Sequence, residues 1–150
     1  MELAYIPKDD RSLGGAGEKY QLIRRIAVGG MAEIFLARAV GIERFEKPVV
    51  LKRLLPQFEN NAELVAMFLH EARLAAILQH PNIAQVYDIG RKEGAFFFTM
   101  EYVHGQTLRA ILKAMWDSDT RMPLASALHI GAQLASALHY AHSRCGNDGR

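Results

Sequence analysis

Tyr20-Gln21-Leu22-Ile23-Arg24-Arg25-Ile26-Ala27-Val28-Gly29-Gly30-Met31-Ala32-Glu33-Ile34-Phe35-Leu36-Ala37-Arg38 is the stretch on which the fold turns. Apolar residues alternate loosely from Gln21 to Ile26 and recur from Glu33 to Arg38, with a glycine pair between them. Two strand-forming runs around a short glycine-containing loop predict a β-hairpin. A third strand follows at Pro48-Val49-Val50-Leu51-Lys52-Arg53-Leu54, rich in β-branched residues. Residues 40–48 read as a connection.

Downstream the period changes. Asn60 and Asn61 are suitable N-caps for a helix running to about Gln79, with Leu64, Phe68, Ala72, Ala75 and Ala76 on one face and Pro81 as the stop. Val86 to Ile89 and Ala95 to Val103 read as two more strands around Arg91-Lys92-Glu93-Gly94. Thr107 to Trp116 is predicted as a short helix. Leu124 to Cys145 is predicted as a long one opening after Pro123, with Leu124, Leu128, Gly131, Leu134, Ala135, Leu138 and Ala141 on one face. Strands and helices are segregated along the chain, which argues an α+β fold. Residues 1–18 are polar, end in a glycine-rich run and read as a mobile leader.

Composition narrows the functional classes. Of 150 residues, 23% are charged and the formal net charge is only +2, too weak a bias to argue for nucleic acid or an anionic membrane surface. No apolar run reaches the ~18 residues of a membrane-spanning helix, and the first residues do not form a signal peptide. The single cysteine, Cys145, permits no internal disulfide, so a reducing, cytoplasmic location is expected. His139 and His142 lie three apart on a helix, but no third ligand is placed, so no metal site is predicted. Trp116 reads as a packing residue.

Three features carry chemistry. The Gly29-Gly30 loop offers backbone N–H groups with little side-chain bulk, as a phosphate site requires, although a glycine hairpin alone is ordinarily a turn. Lys52 and Val50 share a strand face by the period of two. An ammonium beside an apolar side chain suits a site for a flat base and a phosphate; a solvent-directed lysine is the plainer reading. Glu71 borders the buried face of its helix, and a carboxylate there calls for a cation: Lys52, or its neighbours His70 and Arg73.

Taken together, these features strongly resemble the protein-kinase family, most closely its bacterial serine/threonine branch. The likeness runs from about Tyr20 to the end of the chain. The family's G-x-G-x-x-G-x-V loop is matched by Ala27-Val28-Gly29-Gly30-Met31-Ala32-Glu33-Ile34, and its V-A-I-K by Val49-Val50-Leu51-Lys52. Phe68-Leu69-His70-Glu71-Ala72 matches the helix bearing the conserved-role glutamate, His80-Pro81-Asn82-Ile83 the following link, and Met100-Glu101-Tyr102-Val103-His104-Gly105 the gatekeeper and hinge.

The resemblance implies a small lobe with a five-stranded antiparallel sheet and one helix over 19–103, and the start of a helical large lobe over 104–150. It also implies ATP as ligand. Lys52 would hold the α- and β-phosphates and pair with Glu71. Ala27, Val28, Gly29 and Gly30 would form the cover over the phosphates. Ile26, Ile34 and Val50 would pack on the adenine, Glu101 and Val103 would bond its edge through their backbones, and Met100 would close the pocket. The parent activity would be phosphorylation of protein serine or threonine, with Mg²⁺ in the complete enzyme.

Two features depart from the family pattern. Ala27 and Ala32 replace glycines, and alanine's poor tolerance of positive φ predicts a stiffer loop. Neither H-R-D-L-x-x-x-N nor D-F-G is present. Asp88-Ile89-Gly90 only mimics the latter and reads as a strand followed by a turn glycine. The chain is therefore expected to be a truncated kinase without turnover of its own. A non-catalytic kinase-like binding module is the alternative. The stripe on the 124–145 helix is expected to be uncovered and to promote self-association.

Overall fold

The computed structural model of the chain describes residues 12–13, 19–92 and 94–144. Strands are β1 (Ser12–Leu13), β2 (Tyr20–Val28), β3 (Ala32–Val40), β4 (Glu46–Leu54), β5 (Val86–Lys92) and β6 (Ala95–Glu101). Helices are α1 (Ala62–Ala76), α2 (Leu108–Asp117) and α3 (Leu124–Ser143). The chain divides into two units. One holds the residues up to Ile77 together with Gln85–Tyr102; the other holds Leu78–Ala84 and the residues from Val103 onward.

The first unit is built on one antiparallel sheet ordered β1-β2-β3-β4-β6-β5. The five expected strands make up its body. Within the segment read as a mobile leader, Ser12 and Leu13 pair with Gln21 and Tyr20 as a two-residue sixth strand. The predicted connection over 40–48 is shorter than expected, because β3 and β4 stay paired from Ala32↔Leu54 to Val40↔Glu46. A 3₁₀ turn at Ile42–Arg44 closes the hairpin, with Glu43 at φ 55°.

Alternation along β4 sorts its side chains onto two faces. Val49 and Leu51 join Tyr20, Leu22, Phe35, Ala37 and Phe97 in one buried cluster. Leu54 joins Ala32, Phe68, Ala72, Val86 and Phe98 in a second, which α1 covers. Among the described residues no helix covers the first face, and the sheet curls around it. β2 and β5 stand four strand steps apart, about 19 Å in a flat sheet at ~4.8 Å per step. Yet Lys19 Nζ lies 2.5 Å from Asp88 Oδ2, and the Tyr20 hydroxyl donates to the same carboxylate at 3.0 Å.

α1 starts where the sequence places it: Asn61 is the N-cap, and its side chain accepts from the N–H groups of Glu63 and Leu64, both at 3.1 Å. It ends at Ala76, short of the expected Gln79. Gln79 instead donates its N–H to the Tyr140 hydroxyl at 3.1 Å within the second unit. Thr107 caps α2 by accepting from Ala110 N.

In the second unit, α3 buries Ala137 and directs Gln133, Ser136 and Tyr140 to the 78–84 segment. Asn82 Nδ2 donates to the Gln133 side chain at 2.6 Å, and the His80 ring stands 5.2 Å from that of Tyr140. The leucine stripe is uncovered, as expected: Leu124, Leu128, Leu134 and Leu138 are all exposed. Trp116 departs from its expected packing role, keeping 85% of its surface accessible. It borders a cavity of about 680 Å³ lined also by Leu112, Met115 and Met122. Cys145 and the expected turn at 146–149 lie outside the described residues.

Candidate functional site

Lys52 projects from β4 onto the α1 side of the sheet. In the pairing register Ile34 and Phe98 flank it on the neighbouring strands, and Leu36 and Met100 flank Val50. Directly opposed residues share a face, so Ile34, Val50, Lys52 and Met100 lie on one surface, with Ala27 opposite Ile34 continuing it. Here the period-of-two reading of Val50 and Lys52 holds.

The ammonium of Lys52 is 2.5 Å from Glu71 Oε1, and it is Lys52, not His70 or Arg73, that supplies this contact. Phe68, one turn before Glu71 on α1, is fully buried, and its ring lies 5.2 Å from that of Phe98. That apolar contact fixes the helix and so delivers the carboxylate. Lys52 Nζ also lies 5.4 Å from the Phe98 ring centre and 6.0 Å from that of Phe68, within or at the reach of a cation–π interaction. The Glu71 side chain is 46% exposed, so the pair adds little to stability, roughly 0–1 kcal/mol. Its consequence is positional: the ammonium is held at one place on an otherwise apolar surface.

The β2–β3 loop is tied at its base by Gly29 N–H donating to Ala32 O at 2.7 Å and Leu55 N–H donating to Met31 O at 2.9 Å. A Cβ added at Gly30 would meet nothing within 4 Å. Ala27 and Ala32 lie inside β2 and β3, and the positive-φ non-glycine residues among those described are Glu43 and Asp119. The expected stiffening by alanine therefore has no basis in backbone strain; Ala32 is instead a core residue beside Leu54 and Phe68. β2 carries two register shifts, which leave Ile23 and Ile26 out of the pairing. Ile26 thus sits on a bulge beside the loop, 43% exposed, and Val28 and Gly29 are exposed.

Glu101 ends β6. Its N–H donates to Gln85 O at 2.8 Å, so only its carbonyl is left to meet a ligand edge. Val103 belongs to the second unit and is exposed.

Asp88 is engaged by Lys19 and Tyr20, and Gly90 lies inside β5, not in a turn. A Cβ there would stand 2.5 Å from the Phe97 ring, so this glycine makes room for a core aromatic. The burial of Asp88 raises its pKa, but its hydrogen bonds from Lys19 and Tyr20 outweigh that and hold it below the usual 3.8; the bond to Asp88 raises Lys19 above 10.5.

Sequence reasoning missed the buried charges of the first unit. Glu33 Oε1 accepts from Arg53 Nε at 3.0 Å and Nη2 at 2.7 Å, and Arg25 Nη1 reaches Glu33 Oε2 at 3.5 Å. The signal was present: Glu33 and Arg53 both fall on the inward phase of otherwise apolar strands. Among the described residues no cluster of His, Cys, Asp or Glu could hold a metal ion.

A curled antiparallel sheet, one helix whose glutamate meets a strand lysine, and a glycine loop define the small lobe of a protein kinase. A profile of the family described as protein tyrosine and serine/threonine kinase matches residues 20–145. The chain is 45% identical over 123 residues to the tyrosine-protein kinase MasK of Myxococcus xanthus, covering 82% of this chain and 19% of that protein. It is 36% identical over 124 residues to the serine/threonine-protein kinase PrkC of Bacillus subtilis, covering 83% and 18%. Among solved structures, the Mycobacterium tuberculosis PknI kinase domain aligns with a TM-score of 0.65 at 29% identity, covering 84% of this chain and 49% of that one. The chain belongs to the protein-kinase family. It spans about a fifth of the length of these two relatives and about half of the solved kinase domain. Among the described residues no helix is long and apolar enough to cross a membrane.

Proposed function

We propose that the first unit binds ATP and forms the nucleotide-gripping part of a bacterial serine/threonine protein kinase acting in the cytoplasm. The observation that carries this is the Lys52–Glu71 contact at 2.5 Å, set on an apolar surface below a glycine loop. An ammonium fixed by a carboxylate is ready to meet phosphate oxygens without reorganising. Val50, Ile34 and Met100 offer a flat base apolar contact, with Ile26 and Ala27 at the same end of the sheet. The Gly29 N–H is held by Ala32 O, and the exposed turn at Gly30, with open space beside it, is where phosphate oxygens would approach the backbone. The Glu101 carbonyl would bond the adenine edge. In the complete enzyme Mg²⁺ would neutralise the phosphates, and a protein hydroxyl would be the acceptor. The likeness to the serine/threonine-protein kinase PrkC supports that acceptor, and the likeness to the tyrosine-protein kinase MasK makes phosphotyrosine the alternative outcome of the assay.

The sequence has no H-R-D or D-F-G motif, so these 150 residues alone are expected to transfer no phosphate. A radiolabel assay with ATP and a generic protein substrate checks this. Incorporation abolished by Lys52→Met would contradict it, and phosphoamino-acid analysis would then give the acceptor. The uncovered leucines of α3 support self-association of this chain. Sedimentation should show concentration-dependent association that Leu128→Ser with Leu134→Ser removes. A stable monomer at high concentration would end that part of the reading.

A further inference from the structure

Glu33 and Arg53 are the buried charged residues among those described, at 5% and 9% exposure. Removing two ions from water costs several kcal/mol each, and an apolar pair of similar volume serves stability as well or better. Stability alone therefore gives no reason for ions here. Their position does. Glu33 stands opposite Arg53 on β4 and opposite Val28 on β2, at the point where the two strands enter the glycine loop. The next pair along, Ile34 and Lys52, faces the other side of the sheet. Arg25, on β2, reaches the second oxygen of the same carboxylate. One buried carboxylate thus joins three strands directly beneath the loop and one residue away from Lys52. The guanidinium carbon of Arg53 lies 5.1 Å from the centre of the Phe35 ring, within cation–π reach.

We propose that Glu33 and Arg53, helped by Arg25, are positioning residues: they fix the register of the 29–31 loop against Lys52 so that both meet the phosphates of a nucleoside triphosphate, without touching it themselves. This rests on the nucleotide reading given above. A paired guanidinium and carboxylate tolerate only one alignment of β3 on β4, because any slip leaves a buried charge unpaired. Apolar side chains at the same positions would tolerate small displacements, and the loop's N–H groups would no longer converge on one place. The base contacts Ile34, Val50 and Met100 lie on the opposite face of the sheet from Glu33 and Arg53, so base binding does not depend on the register of the loop.

The test uses the full chain, with Glu33→Gln and the double variant Glu33→Met with Arg53→Met. The double variant removes both buried charges together and leaves Arg25, whose side chain is 44% exposed, to solvent, so it is expected to fold. ATP and adenosine are each titrated calorimetrically, and amide hydrogen exchange is followed at residues 29–32. In both variants ATP affinity should fall about 10-fold or more, adenosine affinity should not change, and exchange at 29–32 should accelerate while that of α1 stays as in the parent. An unchanged ratio of ATP to adenosine affinity together with unchanged loop exchange would overturn the proposal. If the parent and Lys52→Met bind ATP alike, the nucleotide reading is what fails. Loop exchange then decides the staple alone: acceleration upholds it, and no acceleration refutes it.

Discussion

In the sheet-bearing unit Leu51, Leu54 and Phe68 retain no accessible surface, whereas in the helical unit Leu124 and Leu128 keep 74% and 64% of theirs. Apolar side chains of similar kind thus serve as core in one unit and stand uncovered in the other. The difference lies in how each unit covers its faces. The curled sheet buries one face within its own bend and the other beneath α1. α3 uses its small and polar residues against the 78–84 segment and leaves its leucines outward. The lesson is that helical periodicity shows that a stripe exists, and the packing alone shows which face is used.

The largest effect expected from this contrast is in the core. Phe68→Ala should lower unfolding stability by about 3–5 kcal/mol, while Leu128→Ala on the uncovered stripe should stay within roughly 0.5 kcal/mol. Urea denaturation of both variants checks this, and comparable losses would break the contrast. Glycines sharpen it at the next level. Gly90→Ala drives a methyl into Phe97 and should cost about 1–3 kcal/mol. Gly131→Ala in α3 meets nothing and should gain roughly 0.5–1 kcal/mol. Melting temperatures should therefore move in opposite directions.

A smaller effect probes the closure of the curl. Asp88 has a folded pKa below 3.8, so its contribution is present above that value and is lost as pH falls through the lowered one. Lys19 has a folded pKa above 10.5, so its contribution is present below that value and is lost as pH rises through the raised one. Stability from this pair should be flat between pH 5 and 9 on that reasoning, and Asp88→Asn should flatten the acid limb. An unaltered acid limb would mean that the pair does not hold the curl.

Much of this molecule was legible in its residues because the relevant signals are local. The Asn61 cap, the β2–β3 hairpin and the strand bearing Lys52 each depend on a few neighbouring side chains. For Glu71 the residues left three cations open, Lys52, His70 and Arg73, and the family resemblance singled out Lys52. Three features were not legible. The closing of the sheet by Lys19 and Asp88 depends on curl, which no local pattern encodes. Gly90 looked like a turn glycine because the ring that needs its space, Phe97, stands on the neighbouring strand. Ala27 and Ala32 were read through the positive φ that glycine permits, while the chain places them in extended strands and makes Ala32 part of the core.

The most direct test of the account is a calorimetric titration of ATP into the full chain and into Lys52→Met. Saturable binding that Lys52→Met weakens severely, with the variant's melting temperature preserved, is the expected result. No binding by the parent, or equal binding by both, would contradict the assignment of the Lys52–Glu71 surface as the nucleotide grip.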